Sequence, residues 1–296
     1  MPRLIWKIWG KSLQILRIYS SRILSIYRPL NTHVIHIDGG FGSQIMQFAL
    51  YSRLKFEGKS AVLDGSYFLL SKESTNQEFV SIRTWELDAF NYRLADLPTR
   101  QGRKLRDSDF AKLYVPVYKR LFNDTSFLNS TFSLKQWRLS EVLNYLGLDE
   151  SELKNTLSIH IRQGDFLRVA SFLLKEEYYL EALDVAMQMS ESTFKNIIFI
   201  SDEEIDAKRF PTLNNFLNQK NKNLKTLKLV GLEPVLVHEF MRASGALICS
   251  NSNFSFSAAM LRNGKTSIYP SKFYEGDTAA LNAIFKLPFG IEIEVT

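Results

Sequence analysis

The sequence contains a single cysteine, Cys249, so no disulfide can form within the chain. This favours a reducing compartment, where thiols stay unpaired. There are only four histidines, and no two of them have the spacing of a zinc-ligand pair. Asp107 and Asp109 have an Asp-x-Asp spacing, but the stretch around them is polar and basic, which indicates a solvated loop. We therefore expect no metal site.

Acidic residues are missing from the first 28 positions. Six of the 37 Lys and Arg residues lie there, which leaves 31 basic residues against 31 Asp and Glu in the rest of the chain. The body is therefore formally neutral, and the pI of 9.2 comes from the N-terminal segment. A basic face on the body has little support, and we expect no nucleic-acid partner.

That basic segment, residues 1–28, has the spacing of an amphipathic helix, with Ile5, Trp9 and Leu13 on one side and charges too frequent for a bilayer span. The pattern predicts a helix lying on an anionic membrane surface, where each basic residue contributes about 1 kcal/mol. The alternative is a helix packed on the protein's own core. Recurrent charge and the lack of a small-residue cleavage site argue against a signal peptide. We expect a cytoplasmic protein, peripheral on the inner face of a membrane.

Hydrophobic residues make up 45% of the chain, enough to bury two cores and too many for a disordered protein. Strand and helix patterns alternate in both halves, which predicts an α/β fold. A polar stretch at residues 148–151 is the candidate boundary between the halves. Residues 96–145 indicate a mostly helical insertion.

Residues 157–166 carry the clearest functional signal. An apolar strand there ends with His160 and Arg162, which are two residues apart and therefore project from the same face. Gly164 allows the chain to turn sharply before Asp165. The Arg162 guanidinium can offer a planar fork of donors to a diphosphate, as a lysine cannot. The pattern suits an anionic ligand. The alternative interpretation is an ordinary strand end at which Arg162 and Asp165 form a surface ion pair.

In three further segments, glycine or polar residues directly follow an apolar strand. Residues 39–44 (Gly-Gly-Phe-Gly-Ser-Gln) form a glycine loop between an apolar strand and a helical pattern, so that backbone amides could approach a phosphate or a sugar. The apolar strand 197–200 ends in Ser201 and Asp202, and the apolar strand 246–249 ends in residues 250–255 (Ser-Asn-Ser-Asn-Phe-Ser). In open parallel sheets, ligands bind at such carboxyl ends.

In this order the four segments resemble the galactoside alpha-1,2-fucosyltransferase family, inverting glycosyltransferases that use GDP-fucose. The family's motif His-x-Arg-x-Gly-Asp is met in full by His160, Arg162, Gly164 and Asp165. Its first motif, roughly Gly-Gly-Leu-Gly-Asn-Gln, is met by residues 39–44.

Smaller matches and three departures complete the resemblance. The matches are Glu-Tyr-Tyr at 177–179, Ser-Asp at 201–202 and the polar stretch 250–255. Ser43 stands where the first motif has Asn, and Gln163 stands where a second Arg is usual. Residues 256–257 also lack the family's usual aromatic pair.

The resemblance implies a fold of GT-B type, in which two Rossmann-like domains face each other across a cleft. Residues 30–150 would form an acceptor-side domain and residues 151–296 a nucleotide-sugar-binding domain, with residues 1–29 as the basic segment before them. It implies that the catalytic residues are Arg162, which would compensate charge on the departing diphosphate, and Asp165. The expected donor contacts are His160, Arg162, Asp202, Asn251, Ser252, Ser255, Gly39, Gly40 and Gln44.

The function expected on this basis is transfer of fucose from GDP-fucose to a hydroxyl of a glycan acceptor, in an alpha-1,2 linkage and without a metal or cofactor. A lipid-linked precursor of a surface polysaccharide would suit an enzyme at a membrane. The general base is not identified, and Asp38 and Asp165 are both candidates. One alternative is transfer from another nucleotide sugar, since no residue is known to read guanine. Others are a peripheral nucleotide- or glycan-binding protein without catalysis, suggested by Ser43 and Gln163, and a phosphate-ester hydrolase.

Overall fold

The computed structural model describes residues 32–69, 83–97, 102, 104–134, 138–164, 173–189, 194–218, 224–274 and 276–295. The basic segment 1–28 and Asp165 lie outside these ranges. Among the described helices, none combines the length and the apolar character that a membrane crossing requires.

The larger sheet consists of six parallel strands. In chain order they are β3 (Thr156–Ile161), β4 (Asn196–Ser201), β5 (Lys225–Val230), β6 (Ala246–Ile248), β7 (Ser267–Pro270) and β8 (Gly290–Ile293). Their spatial order is β5-β4-β3-β6-β7-β8. From β3 the chain adds β4 and β5 toward one edge of the sheet. It then crosses back to place β6 beside β3 and adds β7 and β8 toward the other edge. In doubly wound sheets the ligand crevice lies at this reversal, beside the carboxyl ends of the two central strands.

Both faces of this sheet are covered, which explains its nearly continuous apolar strands. Alternate residues point to opposite faces, so that Ile197 and Phe199 of β4 join one core and Ile198 and Ile200 join the other. The first core includes helices α5 (Glu176–Met189) and α6 (Pro211–Asn218), and the second includes α7 (Pro234–Ala243) and α8 (Asn253–Met260).

The smaller sheet pairs β1 (His33–His36) with β2 (Ala61–Asp64) in parallel. Helix α1 (Phe41–Phe56) connects them, which makes a βαβ unit. Helices α2 (Asp107–Phe122), α3 (Thr125–Thr131) and α4 (Leu139–Leu146) follow. Parallel sheets with covering helices confirm the predicted α/β class, whereas the division of the chain at residue 150 stays a prediction.

One expectation about the loops is wrong. Asp107 and Asp109 do not lie in a solvated loop but in the first turn of α2. Carboxylates are favourable there because the exposed N–H groups at a helix start carry partial positive charge. The spacing that resembles a metal motif is therefore explained by helix initiation.

The two halves share one apolar core. Buried residues of α1, α2, α7 and α8 belong to the same cluster, and the 3₁₀ helix Gly276–Ile284 returns to pack on α2. The closest approach joins the starts of α1 and α8. A Cβ atom at Gly42 would lie 2.5 Å from the backbone carbon of Asn253 and closer still to Phe254 Cα.

We predict that Gly42→Ala lowers the free energy of unfolding by about 1–3 kcal/mol, because the added methyl group meets backbone atoms that cannot rotate away. Thermal unfolding followed by circular dichroism measures this. The control is Gly40→Ala in the same loop, where the nearest heavy atom to the new Cβ is Arg83 Nε at 4.0 Å. Equal stability of the two variants would contradict the close contact.

Candidate active site

A cavity of about 670 Å³ lies at the carboxyl ends of β3, β4 and β6 and faces the start of α1. This volume is typical of small-molecule sites, which range over about 300–1,000 Å³. Both halves of the chain line the cavity. It brings together seven of the nine predicted donor contacts, namely Gly39, Gly40, His160, Arg162, Asp202, Asn251 and Ser252.

Arg162 and Asp202 form an ion pair on the cavity wall. Arg162 Nη1 lies 2.7 Å from Asp202 Oδ2, and the other carboxylate oxygen accepts from Gln163 N at 3.1 Å. Gly164 follows with φ +37°, and a Cβ there would collide with the Asp202 carboxylate. The glycine therefore allows the turn and leaves room for the pair. Asp202 orders the ends of both strands, while its contact with a donor stays a prediction.

Two buried tyrosines form hydrogen bonds with the backbone just after β6 and β3. The Tyr178 hydroxyl donates to the carbonyl of Cys249 at 2.6 Å, and the Tyr179 hydroxyl bonds the backbone of Arg162. The two tyrosines of the match at residues 177–179 thus hold the chain just after β3 and β6. Cys249 itself is buried just after β6, and burial raises the pKa of its thiol to about 12.

Gln163 occupies the position where the family that this sequence resembles usually has a second arginine. It is 1% exposed. Its Nε2 donates to the carbonyl of Glu204 at 2.9 Å and to Ser201 Oγ at 3.1 Å, and its Oε1 accepts from Asp206 N at 3.2 Å. A guanidinium has no acceptor and would leave Asp206 N–H unpaired. Gln163 therefore links the ends of β3 and β4 by hydrogen bonds.

His160 is a neutral, positioned side chain. Its Nδ1 lies 2.8 Å from Ser250 Oγ, and the ring is 2% exposed. Burial, and secondly the charge of Arg162, lower the pKa of His160 to about 3. An imidazole in this state carries no charge near neutral pH, so His160 can hold Ser250 and a ligand but adds no cation.

Two helices begin at the cavity. Helix α1 starts at Phe41 after Gly40, and α8 starts at Asn253, where the Ser252 hydroxyl accepts from Phe254 N. The unpaired N–H groups of a helix start attract anions. Asn253 Nδ2 also donates to Ser43 Oγ at 2.9 Å, which ties the two helix starts together. Arg162 and the N–H groups of the two helix starts thus lie at the cavity, together with the carboxylates of Asp202 and Glu86.

Two predicted donor contacts are not on the cavity wall. Gln44 is fully buried, with Nε2 donating to the carbonyls of Gly39 and Thr84 and Oε1 accepting from Glu86 N. Ser255 is also fully buried, and its hydroxyl lies 3.4 Å from the carbonyl oxygens of Ser250 and Ser252. Both side chains hold backbone in place, and their hydrogen-bonding capacity is directed into the protein.

Several lining residues were missed by sequence reasoning. They are Tyr67, Arg83, Glu86, Leu232, Phe273 and Tyr274. Arg83 and Glu86 follow no periodic pattern and no strand, so no local signal identified them. Glu86 is half-buried, its carboxylate accepts from Phe41 N at the start of α1, and burial raises its pKa.

A larger cavity of about 1,100 Å³ lies beside the C-terminal end of α7 and is lined by Arg242 and Arg262. The Arg262 guanidinium donates to the carbonyls of Met241, Ser244 and Gly245. These bonds satisfy carbonyls at and just after the end of α7, which explains a buried arginine without a ligand. In the described part of the chain, no group of three or more His, Cys, Asp or Glu side chains is arranged to hold a metal.

No family model matches the chain, and no curated protein matches it either. Solved structures do. The NodZ alpha-1,6-fucosyltransferase soaked with GDP-fucose is 10% identical over 78% of this chain and 92% of its own, with a TM-score of 0.41. A selenomethionine form of fucosyltransferase NodZ from Bradyrhizobium is 12% identical over the same shares, with a TM-score of 0.41. The E. coli ADP-heptose LPS heptosyltransferase II is 12% identical over 88% and 90%, again with a TM-score of 0.41. Similarity at this level assigns no activity, donor or linkage to this chain.

We predict that Gln163→Leu lowers the free energy of unfolding by about 1–3 kcal/mol, because the Glu204 carbonyl and the Asp206 N–H, which follow β4, lose their partner. Urea denaturation measures the change. Gln188→Leu on the exposed face of α5 is the matched control and should stay within about 0.5 kcal/mol of the parent. A Gln163 variant as stable as the control would contradict a stabilising role for these hydrogen bonds.

Proposed function

We propose that this protein is an inverting glycosyltransferase that binds a nucleoside-diphosphate sugar in the 670 Å³ cavity. The observation that carries the proposal is the convergence of Arg162 with the starts of α1 and α8 on one cavity. Three separate stretches of sequence supply these groups. Their shared property is attraction for an anion that is larger than a single phosphate.

The chemistry of glycosyl transfer needs such an arrangement. When the sugar leaves the nucleotide, negative charge grows on the diphosphate, and fixed donors aimed at that charge lower the barrier more than they strengthen ground-state binding. Asp202 holds Arg162 in advance at 2.7 Å, so little reorganisation is needed during the reaction. We expect Arg162 and the helix-start amides to provide this compensation without a metal or a cofactor.

The finer assignment follows the motif resemblance. His160, Arg162 and Gly164 match the fucosyltransferase motif, and the first two line the cavity, which supports our proposal of GDP-fucose as the donor and an alpha-1,2 linkage to a glycan hydroxyl. The main competing proposal is another nucleotide sugar.

The departures Ser43 and Gln163 first suggested a binding protein without catalysis. Both now have structural partners, because Ser43 bonds Asn253 and Gln163 bonds the end of β4. Neither departure removes the cation or the helix starts from the cavity. This supports an active transferase over a protein that only binds.

The acceptor assignment is also part of the proposal. We propose that the acceptor is a lipid-linked glycan and that residues 1–28 bring the protein to the cytoplasmic face of a membrane. The segment carries six basic residues and no acidic ones, which suits an anionic leaflet.

Arg162→Ala should lower transfer from GDP-fucose by about 10²–10³-fold, because one fixed donor to the departing diphosphate is lost. Arg162→Lys should recover only part of the rate, since a point charge lacks the planar fork. The measurement is GDP release with methyl β-galactoside as acceptor, compared with UDP- and ADP-sugars and repeated with EDTA.

Arg93→Ala is the control, because Arg93 is 75% exposed and pairs with Asp96 away from the cavity. It should keep parental activity. Full activity in Arg162→Ala would contradict the role of this side chain. A preference for another donor would remove GDP-fucose from the proposal, and loss of activity in EDTA would remove metal independence.

Deletion of residues 1–28 should abolish sedimentation with vesicles of phosphatidylglycerol and leave turnover of GDP-fucose in solution unchanged. Sedimentation of the full chain should fall as salt rises, since the attraction is electrostatic. Equal sedimentation of both forms would contradict a membrane role for this segment.

A further inference from the structure

We propose that Glu86 is the general base that takes the proton from the acceptor hydroxyl. This inference rests on the proposed function, because only a transfer to a hydroxyl requires such a base. Glu86 belongs to neither motif of the resemblance and lies in a stretch without periodicity.

The carboxylates on the cavity wall are the first candidates for the base. Among the described residues that line the cavity, only Glu86 and Asp202 carry one. Both oxygens of Asp202 are engaged, one by Arg162 and the other by Gln163 N. Protonation of Asp202 would weaken the ion pair that holds the leaving-group cation. Asp202 is therefore a positioning residue for Arg162.

Glu86 and Arg162 line the cavity from different halves of the chain. Glu86 comes from the N-terminal half, next to the start of α1, whereas Arg162 comes from the end of β3. An inverting displacement needs its base and its leaving group on opposite sides of the sugar ring. A sugar between Glu86 and Arg162 would present its anomeric carbon to a nucleophile on the Glu86 side while its diphosphate meets Arg162.

The Glu86 backbone is held firmly. Gln44 Oε1 accepts from Glu86 N at 2.9 Å, and Gln44 Nε2 donates to the carbonyl of Thr84 at 2.8 Å. The carboxylate accepts from Phe41 N. This accounts for the fully buried Gln44, which fixes the segment that carries the base.

The electrostatic surroundings suit a base. Burial raises the pKa of Glu86, the Arg83 charge and the Phe41 N–H lower it, and Glu233 at the start of α7 raises it again. The net direction is upward from the ordinary value. A carboxylate with a raised pKa is a stronger proton acceptor while it is still ionised near neutral pH.

Two other proton acceptors fit less well. His160 lines the cavity, but its pKa is lowered to about 3 and its Nδ1 faces Ser250. Asp38 lines a separate cavity of about 300 Å³, where Gln47 donates to its Oδ1 at 2.8 Å. Asp38 does not line the 670 Å³ cavity.

The step balances without another reactant. The acceptor oxygen forms a bond to the anomeric carbon, and its proton moves to a Glu86 carboxylate oxygen. The bond from the anomeric carbon to the diphosphate oxygen breaks, and its electron pair leaves on the nucleoside diphosphate. The proton later returns to solvent.

The test is Glu86→Gln, which keeps the shape and an oxygen that can accept from Phe41 N but cannot take a proton. The kcat for transfer from GDP-fucose to methyl β-galactoside, and for hydrolysis with water alone, should fall by about 10²–10⁴-fold. GDP affinity by calorimetry and the melting temperature should stay unchanged. In the parent, kcat falls as pH drops through the pKa of Glu86, and this acid limb should disappear in the variant.

Glu239→Gln is the matched control. Like Glu86, Glu239 accepts from the backbone at a helix start, from Arg138 N at 2.8 Å, and has a pKa raised mainly by burial. It is 1% exposed and does not line the cavity. A purely structural role of Glu86 would make both variants behave alike. The acid limb should persist in Glu239→Gln and vanish only in Glu86→Gln.

The outcomes separate this inference from the proposed function. A parent that transfers or hydrolyses GDP-fucose, with Glu86→Gln equally active or with its acid limb intact, would overturn the role of Glu86 alone. A parent that consumes no nucleotide sugar, with the galactoside or with water, would overturn the proposed function and this inference together.

Discussion

The contact at Gly42 is the constraint on which the cavity depends. Only a residue without a side chain allows the start of α1 to approach the backbone of Asn253 and Phe254. That approach brings two helix starts to the same space, and Ser43 and Asn253 then join them by a hydrogen bond. Because the apolar core continues from α1 to α8, the two halves form the site as one packed body.

Within this frame the charges are arranged by pairing. Arg162 is held by Asp202 at the end of the larger sheet, and Glu86 lies near Arg83 beside the smaller one. Each wall thus presents a cation and a carboxylate, but their roles differ. Burial raises the pKa of Glu86, while Asp202 is held in an ion pair with Arg162.

Local patterns were sufficient for the larger sheet and for its main side chains. His160 and Arg162 share a face because strands alternate, and both reach the same cavity. The direction of side chains around a helix start or a loop is set by packing, so Gln44 and Ser255 could not be distinguished from true lining residues. Glu86 left no local signal, because its position depends on a hydrogen bond to a residue 42 positions away.

The lone thiol has a practical consequence. Cys249 is fully buried behind the cavity, and with its pKa raised to about 12 it stays protonated and shielded from alkylating reagents. A cysteine introduced on the surface would therefore be labelled selectively without removing the native one. Pairs of dyes attached in this way, one on each half, would report directly on the distance between the two halves when a ligand enters the cavity.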